Sequence, residues 1–82
     1  NYQEKKMENL LNVESNKKYS IEKITEELKK DASMINFLQT HEMLPGTEIV
    51  VADARDYSIT ISTNKSDYFG IDKFIAKRVF VS

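Results

Sequence analysis

The chain has 82 residues, 40% of them apolar, which is enough for one hydrophobic core and too few for a second independent domain. Cysteine is absent, which excludes disulfide bonds and thiolate metal sites, and the 12 basic and 13 acidic residues are too evenly interleaved to follow a nucleic-acid backbone. No stretch approaches the roughly 18 apolar residues that span a bilayer, and no signal segment opens the chain, so we expect a cytoplasmic location and no membrane contact. The first residue is Asn1, and we interpret the chain as part of a longer or processed protein.

The first 18 residues are polar and rich in lysine. Their few apolar side chains have the i, i+3, i+4 spacing of a helix, which predicts a short docked helix around Met7, Leu10 and Leu11. Residues 16–18 are predicted to form a loop. A short strand is predicted after this loop from the apolar residues Tyr19, Ile21 and Ile24.

A longer helix is predicted over residues 31–42. One face of it is formed by residues at helical spacing, namely Asp31, Met34, Ile35, Leu38 and Glu42. Before it, Thr25 is a suitable N-cap for a helical turn in which acidic residues precede lysines. The segment Leu44-Pro45-Gly46-Thr47 ends the long helix, because proline disfavours helical geometry in the residue before it and Gly46 suits the positive φ of a type II turn.

The periodicity changes after this turn. Residues 48–52 form a β-branched run, and residues 57–63 alternate apolar and polar side chains with the period of two that is typical of a half-buried strand. Residues 53–56 are predicted to connect these two strands as a hairpin. Residues 64–67 are predicted to form a second polar turn.

The last part of the sequence predicts three short elements. A brief strand is expected at Tyr68 and Phe69, which Gly70 interrupts. One helical turn and a final strand at residues 79–81 follow, the turn predicted from the spacing of Ile71, Phe74 and Ile75. We expect the last strand to pair with an earlier one. The fold class predicted from the whole pattern is α+β, mainly β: a small barrel-like domain with an N-terminal helical segment.

Candidate catalytic groups are few, and we expect no enzymatic activity. His41 is the only histidine, and it lies near a predicted helix end, where a solvated surface residue and a metal ligand are the two interpretations. The two glycines are isolated and form no phosphate-binding loop. The carboxylate pairs Glu26–Glu27 and Asp53–Asp56 lie in polar stretches that favour solvated charge over acid–base catalysis.

A complete transition-metal site needs three or four ligands, so this chain could lend only one or two to a site completed by another domain or chain. Asp31 is the best-placed donor because it begins the long helix, and the alternative is that it simply caps that helix. A groove that binds proline-rich peptides is a further alternative for the aromatic residues, although core packing explains most of them: Tyr57, Tyr68, Phe69 and Phe80.

Two segments resemble FeoA-type domains, which have an SH3-like barrel. The first is Phe37-Leu-Gln-Thr-His-Glu-Met-Leu-Pro-Gly-Thr-Glu-Ile-Val-Val51, which is similar to their helix, proline–glycine turn and β-branched strand. The second is Gly70-Ile-Asp-Lys-Phe-Ile-Ala-Lys-Arg-Val-Phe-Val81, which resembles their closing helix and valine-rich strand. The resemblance covers residues 19–81. Glu42 stands where the pattern often has glycine, so we expect the helix to end differently here.

The polar first 18 residues and the segment from Tyr19 to Asp31 look like the C-terminal FeoA-type domain of a metal-dependent repressor of the diphtheria toxin repressor family. This resemblance implies that residues 19–82 form the domain and that residues 1–18 are a linker or short docked helix from an upstream dimerisation domain. It also implies a homodimeric parent protein that binds DNA only through its missing N-terminal domain.

In that family the start of this helix can donate a carboxylate to an Fe(II) or Mn(II) site, and the matching position is Asp31. Met34 stands where iron-type repressors can have a side-chain amide, which favours a manganese-type arrangement with Met34 in the core. The alternative is a freestanding FeoA-like protein that modulates a ferrous-iron transporter.

Overall fold

Antiparallel strands are the main regular structure of the computed structural model, which describes residues 7–55, 58–63 and 66–82. In chain order the elements are β1 (Glu8–Asn9), a 3-10 helix (Leu10–Asn12), β2 (Lys17–Ile24), α1 (Glu26–Lys29), α2 (Ala32–Thr40), β3 (Glu48–Ala54), β4 (Ser58–Thr63), β5 (Ser66–Asp72), α3 (Lys73–Ala76) and β6 (Val79–Val81). The strands form one six-stranded sheet with the order β1-β6-β2-β3-β4-β5.

The strand β2 belongs to both halves of this sheet. Its first part, residues 17–20, pairs with β3, and its second part, residues 21–24, pairs with β6 across an irregularity between Ile21 and Lys23. The predicted small, mainly β domain with a few helices is therefore confirmed. Within the described residues no pairing joins β1 to β5, so the expected barrel is open along those two edges.

The core lies on one face of the sheet, beneath the helices. Alternate residues of β3 and β4 point into it, so that Ile49, Val51 and Ile61 are fully buried as their period of two predicts. Leu28 from α1 and Leu38 from α2 belong to the same buried cluster. Burying each such side chain contributes roughly 1.5–3 kcal/mol relative to leaving it exposed.

The short helix predicted around Met7, Leu10 and Leu11 is not α-helical. The chain forms β1 first, and the helix that follows it is a single 3-10 turn. Glu8 and Asn9 are held extended by their pairing with β6. The Asn9 side chain then caps the 3-10 helix by accepting a hydrogen bond from the Leu11 N–H at 3.0 Å, and it donates to the carbonyl of Lys77. Leu10 is fully buried, so this segment contributes to the core.

The strand β5 is longer than predicted. Ser66 and Asp67 belong to the strand and not to a polar turn, and Gly70 continues it by pairing with Thr60 of β4. The predicted helical turn accordingly begins later, at Lys73, since Ile71 is still in the strand. The ladder with β4 supplies backbone hydrogen bonds that local propensity does not reveal. The predicted strand residue Tyr57 and the turn residues 64–65 lie outside the described part of the chain.

The end of α2 confirms the predicted turn and explains Glu42. The Met43 N–H donates to the Leu38 carbonyl at 2.8 Å and the Glu42 N–H to the Gln39 carbonyl at 3.2 Å, which is the Schellman arrangement. Glu42 occupies the left-handed position with φ of 53°, where glycine is usual. Gly46 follows with φ of 95° in a type II turn.

We predict that Glu42→Gly stabilises the domain, because a side chain in the left-handed region costs about 1–2 kcal/mol. Glycine also increases the entropy of the unfolded chain, so the expected net gain in the free energy of unfolding is about 0.5–1 kcal/mol. Equilibrium denaturation by urea measures it. Gly46→Ala is the matched control and should lower stability, since it adds a side chain at positive φ. A loss of stability in Glu42→Gly would show that the contacts of the glutamate side chain outweigh its backbone strain.

Candidate functional site

Asp31 is the N-cap residue of α2. Its Oδ1 accepts hydrogen bonds from the backbone N–H groups of Ser33 at 2.9 Å and Met34 at 3.3 Å. This satisfies two of the helix N–H groups that otherwise lack partners, which is why an aspartate is favoured there. The side chain is exposed, and its Oδ2 has no hydrogen-bond partner among the described residues. The predicted N-cap is thus formed, and it uses Oδ1 alone.

The surroundings of Asp31 do not complete a metal site. In the described ranges 7–55, 58–63 and 66–82, no group of three or more histidine, cysteine or carboxylate side chains is placed to hold a metal ion. Among these residues, Asp31 is therefore not joined by the further ligands that a complete metal site needs. Met34 is half-buried and packs against the core, which agrees with its expected structural role.

Thr25 also occupies an N-cap position, at the start of α1, but it does not cap the helix through its side chain. Its hydroxyl is buried and has no hydrogen-bond partner among the described residues. Its backbone N–H instead donates to the carbonyl of Arg78 at 3.0 Å, which ties the start of α1 to the chain just before β6. Thr25 therefore lies at the predicted N-cap position of α1. The predicted side-chain cap is not formed, and Thr25 instead makes the tertiary hydrogen bond from its backbone N–H.

His41 is half-buried, which corrects the expectation of a solvated surface residue. Its ring stacks on Phe69 of β5 with the centroids 3.8 Å apart and the planes at 17°, and Phe37 lies against it at 4.7 Å. The backbone carbonyl of His41 accepts a hydrogen bond from the buried Thr63 hydroxyl at 2.7 Å. These contacts hold the C-terminal end of α2 on the sheet, so His41 has a structural role. The sequence indicated only the i, i+4 pair of Phe37 and His41.

The aromatic residues do not form one peptide groove. Tyr68 and Phe69 are neighbours on β5 and therefore point to opposite faces of the sheet, Tyr68 being 61% exposed. Phe80 lies on β6, which β2, β3 and β4 separate from β5 in the sheet order. Tyr57 is outside the described residues. The geometry therefore does not support a groove for proline-rich peptides.

Glu26 and Glu27 are not arranged for acid–base chemistry. Both are exposed, and they pair with different bases, Lys29 at 3.7 Å and Arg78 at 3.3 Å. They thus act as surface charges, as the sequence indicated. Of the other predicted pair, Asp53 binds Arg55, and Asp56 is outside the described residues.

Lys17 is an exposed residue of β2 whose pKa is raised above its ordinary value. It donates a hydrogen bond to the Glu14 carboxylate at 3.1 Å, and the attraction between the two charges further favours the ammonium form. An exposed pair of this kind contributes little to stability. It is therefore surface charge and not part of a site.

A cleft of about 410 Å³ lies between the 3-10 helix, the end of β3 and α3. It is lined by Leu11, Arg55, Lys73 and Lys77. Sequence reasoning missed this cleft because three separate segments build it. The single local signal was the i, i+4 spacing of the two lysines on α3.

Across the part of the chain that the structure describes, no helix is long and apolar enough to cross a membrane.

Comparison with known proteins places these features in a family. The sequence matches the FeoA domain family over residues 8–82, whereas no curated protein matches the chain. The structure is similar to the crystal structure of an iron uptake regulatory protein (FeoA), with a TM-score of 0.76 and 23% identity over 93% of this chain and 96% of that one. It is equally similar in fold to a manganese-dependent transcriptional repressor, with a TM-score of 0.76 and 12% identity over 92% of this chain and 40% of the repressor. Because the family match extends over nearly the whole sequence, the chain belongs to the FeoA domain family.

Proposed function

We propose that this FeoA domain is the C-terminal regulatory domain of an iron- or manganese-dependent transcriptional repressor of the diphtheria toxin repressor family. The observation that carries the proposal is that the exposed Asp31 at the start of α2 makes its capping hydrogen bonds through Oδ1 alone. One oxygen of the carboxylate caps the helix, and the other is available to a metal whose remaining ligands lie on another domain. The similarity in fold to a manganese-dependent repressor supports this arrangement.

The proposed mechanism is a change in domain arrangement and not chemistry within the domain. A metal ion shared between Asp31 and the upstream domains binds more tightly when the domains are together, so its binding favours that arrangement. The DNA-reading and dimerisation domains of the homodimeric repressor lie upstream, and DNA is bound through them. A carboxylate oxygen suits the hard ions Mn(II) and Fe(II), and the half-buried Met34 leaves its thioether in the core. In this function the protein works in the cytoplasm.

A second function has its own support, namely a freestanding FeoA-like protein that modulates a ferrous-iron transporter. The match to the iron uptake regulatory protein covers 96% of that chain and has higher identity than the match to the repressor. In that case Asp31 is a helix cap alone. A winged helix-turn-helix encoded upstream of Asn1 would support the repressor, and a transporter gene beside a chain without such a segment would support the alternative.

We predict that the capping and metal-binding parts of Asp31 can be separated by substitution. Asp31→Ala removes the cap and should lower the free energy of unfolding by about 1 kcal/mol. Asp31→Asn keeps a side-chain oxygen that caps almost as well, so its stability should stay within about 0.5 kcal/mol of the parent chain. Urea denaturation of the two variants measures both values. Equal losses in the two variants would show that the charge, and not the capping hydrogen bond, stabilises α2.

We predict that Asp31→Asn in the intact repressor weakens the response to metal while leaving folding intact. Loss of an anionic ligand should raise the Mn(II) concentration for half-maximal operator binding by about tenfold or more, by comparison with the 10–100-fold effects of disturbing metal-site residues. Fluorescence anisotropy of a labelled operator across a Mn(II) titration measures this shift. Glu26→Gln, which removes an exposed carboxylate from α1, is the matched control and should leave the titration unchanged. An unchanged Mn(II) titration in Asp31→Asn would contradict the metal-binding role.

A further inference from the structure

The cleft between the 3-10 helix and α3 has a lining with a distinct chemical character. Arg55, Lys73 and Lys77 contribute three basic groups to the lining, and the guanidinium of Arg55 is paired with the Asp53 carboxylate next to it. Lys73 and Lys77 are one helical turn apart, so they lie on the same side of α3. Arg55 reaches the cleft from the end of β3. Basic residues from two segments that are far apart in the sequence thus line the same cleft.

An apolar side chain lies among these cations. Leu11 on the 3-10 helix lines the cleft and keeps 40% of its surface exposed. On α3, Phe74 follows Lys73 in the chain and is 46% exposed, with the guanidinium carbon of Arg78 4.0 Å from its ring centre. Exposed apolar groups rimmed by charge are typical of surfaces that bind another protein.

We propose that this cleft binds an acidic peptide segment of a partner protein, in which an apolar residue lies between aspartates or glutamates. The apolar residue would contact Leu11, and the flanking carboxylates would pair with the amino groups of Lys73 and Lys77, while Arg55 at the edge of the cleft stays paired with Asp53. The proposal rests on charge complementarity and on the single exposed leucine within the basic lining. It involves no residue of the metal proposal and goes beyond it.

A protein segment fits this surface better than a nucleic acid. A phosphate backbone is held by a row of basic residues along an extended face, whereas this cleft places its cations around an apolar residue.

The proposal is tested by NMR titration of the ¹⁵N-labelled chain with two synthetic peptides. The first is acetyl-Asp-Glu-Leu-Glu-Asp-amide, and the second is its neutral counterpart, acetyl-Asn-Gln-Leu-Gln-Asn-amide. The acidic peptide should shift the amide signals of Leu11, Arg55, Lys73 and Lys77, and its Kd should be at least tenfold lower than that of the neutral peptide. Added salt should weaken the binding, because screening reduces the attraction between exposed charges.

Two variants assign the binding to the cleft. Lys77→Glu should raise the Kd of the acidic peptide about tenfold, and Leu11→Ser, which leaves the charge unchanged, should raise it about threefold. The dispersion of the amide spectrum reports folding of each variant, and Leu11→Ser keeps the test valid if Lys77→Glu unfolds. Lys18→Glu makes the same charge reversal at an exposed residue of β2 outside the cleft and should change the Kd less than twofold.

Several outcomes would overturn the proposal. Equal binding of the two peptides would remove the charge argument, and shifts away from the cleft, or a Kd that neither cleft variant changes, would remove the assignment to these residues. Stronger binding of a 12-base-pair DNA duplex than of the acidic peptide would make the cleft a nucleic-acid site. Displacement of the peptide by an equal concentration of inorganic phosphate would make it a simple anion site.

Discussion

The structure depends on the backbone of β2, which is shared by two ladders. Where its partner changes from β3 to β6, the N–H of Ile21 donates to the Thr47 carbonyl at 2.9 Å and its carbonyl accepts from the Gly46 N–H at 2.7 Å. The proline–glycine turn is therefore bonded to the middle of the sheet. Ser20 exchanges a reciprocal pair of hydrogen bonds with Ser82, which holds the last residue of the chain beside the same point. Because so many buried backbone groups are satisfied here, the two halves of the sheet and the end of α2 have a fixed relation to one another.

This anchoring determines what α2 can do at its other end. The Schellman arrangement, the stack of His41 on Phe69 and the hydrogen bond from Thr63 all hold the C-terminal end of α2 against the sheet. Asp31 is then presented by a helix whose direction is set by packing. Because Oδ1 makes both capping hydrogen bonds, a metal bound at Oδ2 would not compete with the cap. The two interpretations that the sequence offered for Asp31 are compatible, and a domain with one donor can take part in a site that another domain completes.

The features that sequence reasoning predicted are those with local causes. The helix α2, the type II turn at Pro45 and Gly46 and the alternation in β4 each follow from the spacing or the backbone preference of neighbouring residues. The features it missed depend on partners distant in the chain. Asn9 is extended because it pairs with Phe80, Gly70 stays in β5 because it pairs with Thr60, and His41 is covered by Phe69. The basic cleft escaped prediction for the same reason, since it joins segments that are unrelated in sequence. The capping role of Asp31 was predicted because an N-cap is a local signal, and its metal-binding role stays a prediction.

A short chain of contacts runs between the two proposed contact points of the domain. Lys77 precedes Arg78, whose guanidinium pairs with Glu27 of α1 at 3.3 Å, and the next residue, Leu28, accepts a hydrogen bond from the Asp31 N–H at 3.3 Å. Arg78 is the best-packed residue of these contacts, because its side chain is only 19% exposed and lies over the ring of Phe74. An ion pair with one partly buried member is screened less than a pair between two exposed side chains. These contacts thus connect the start of α2, where Asp31 lies, with the end of α3, where Lys77 lines the cleft.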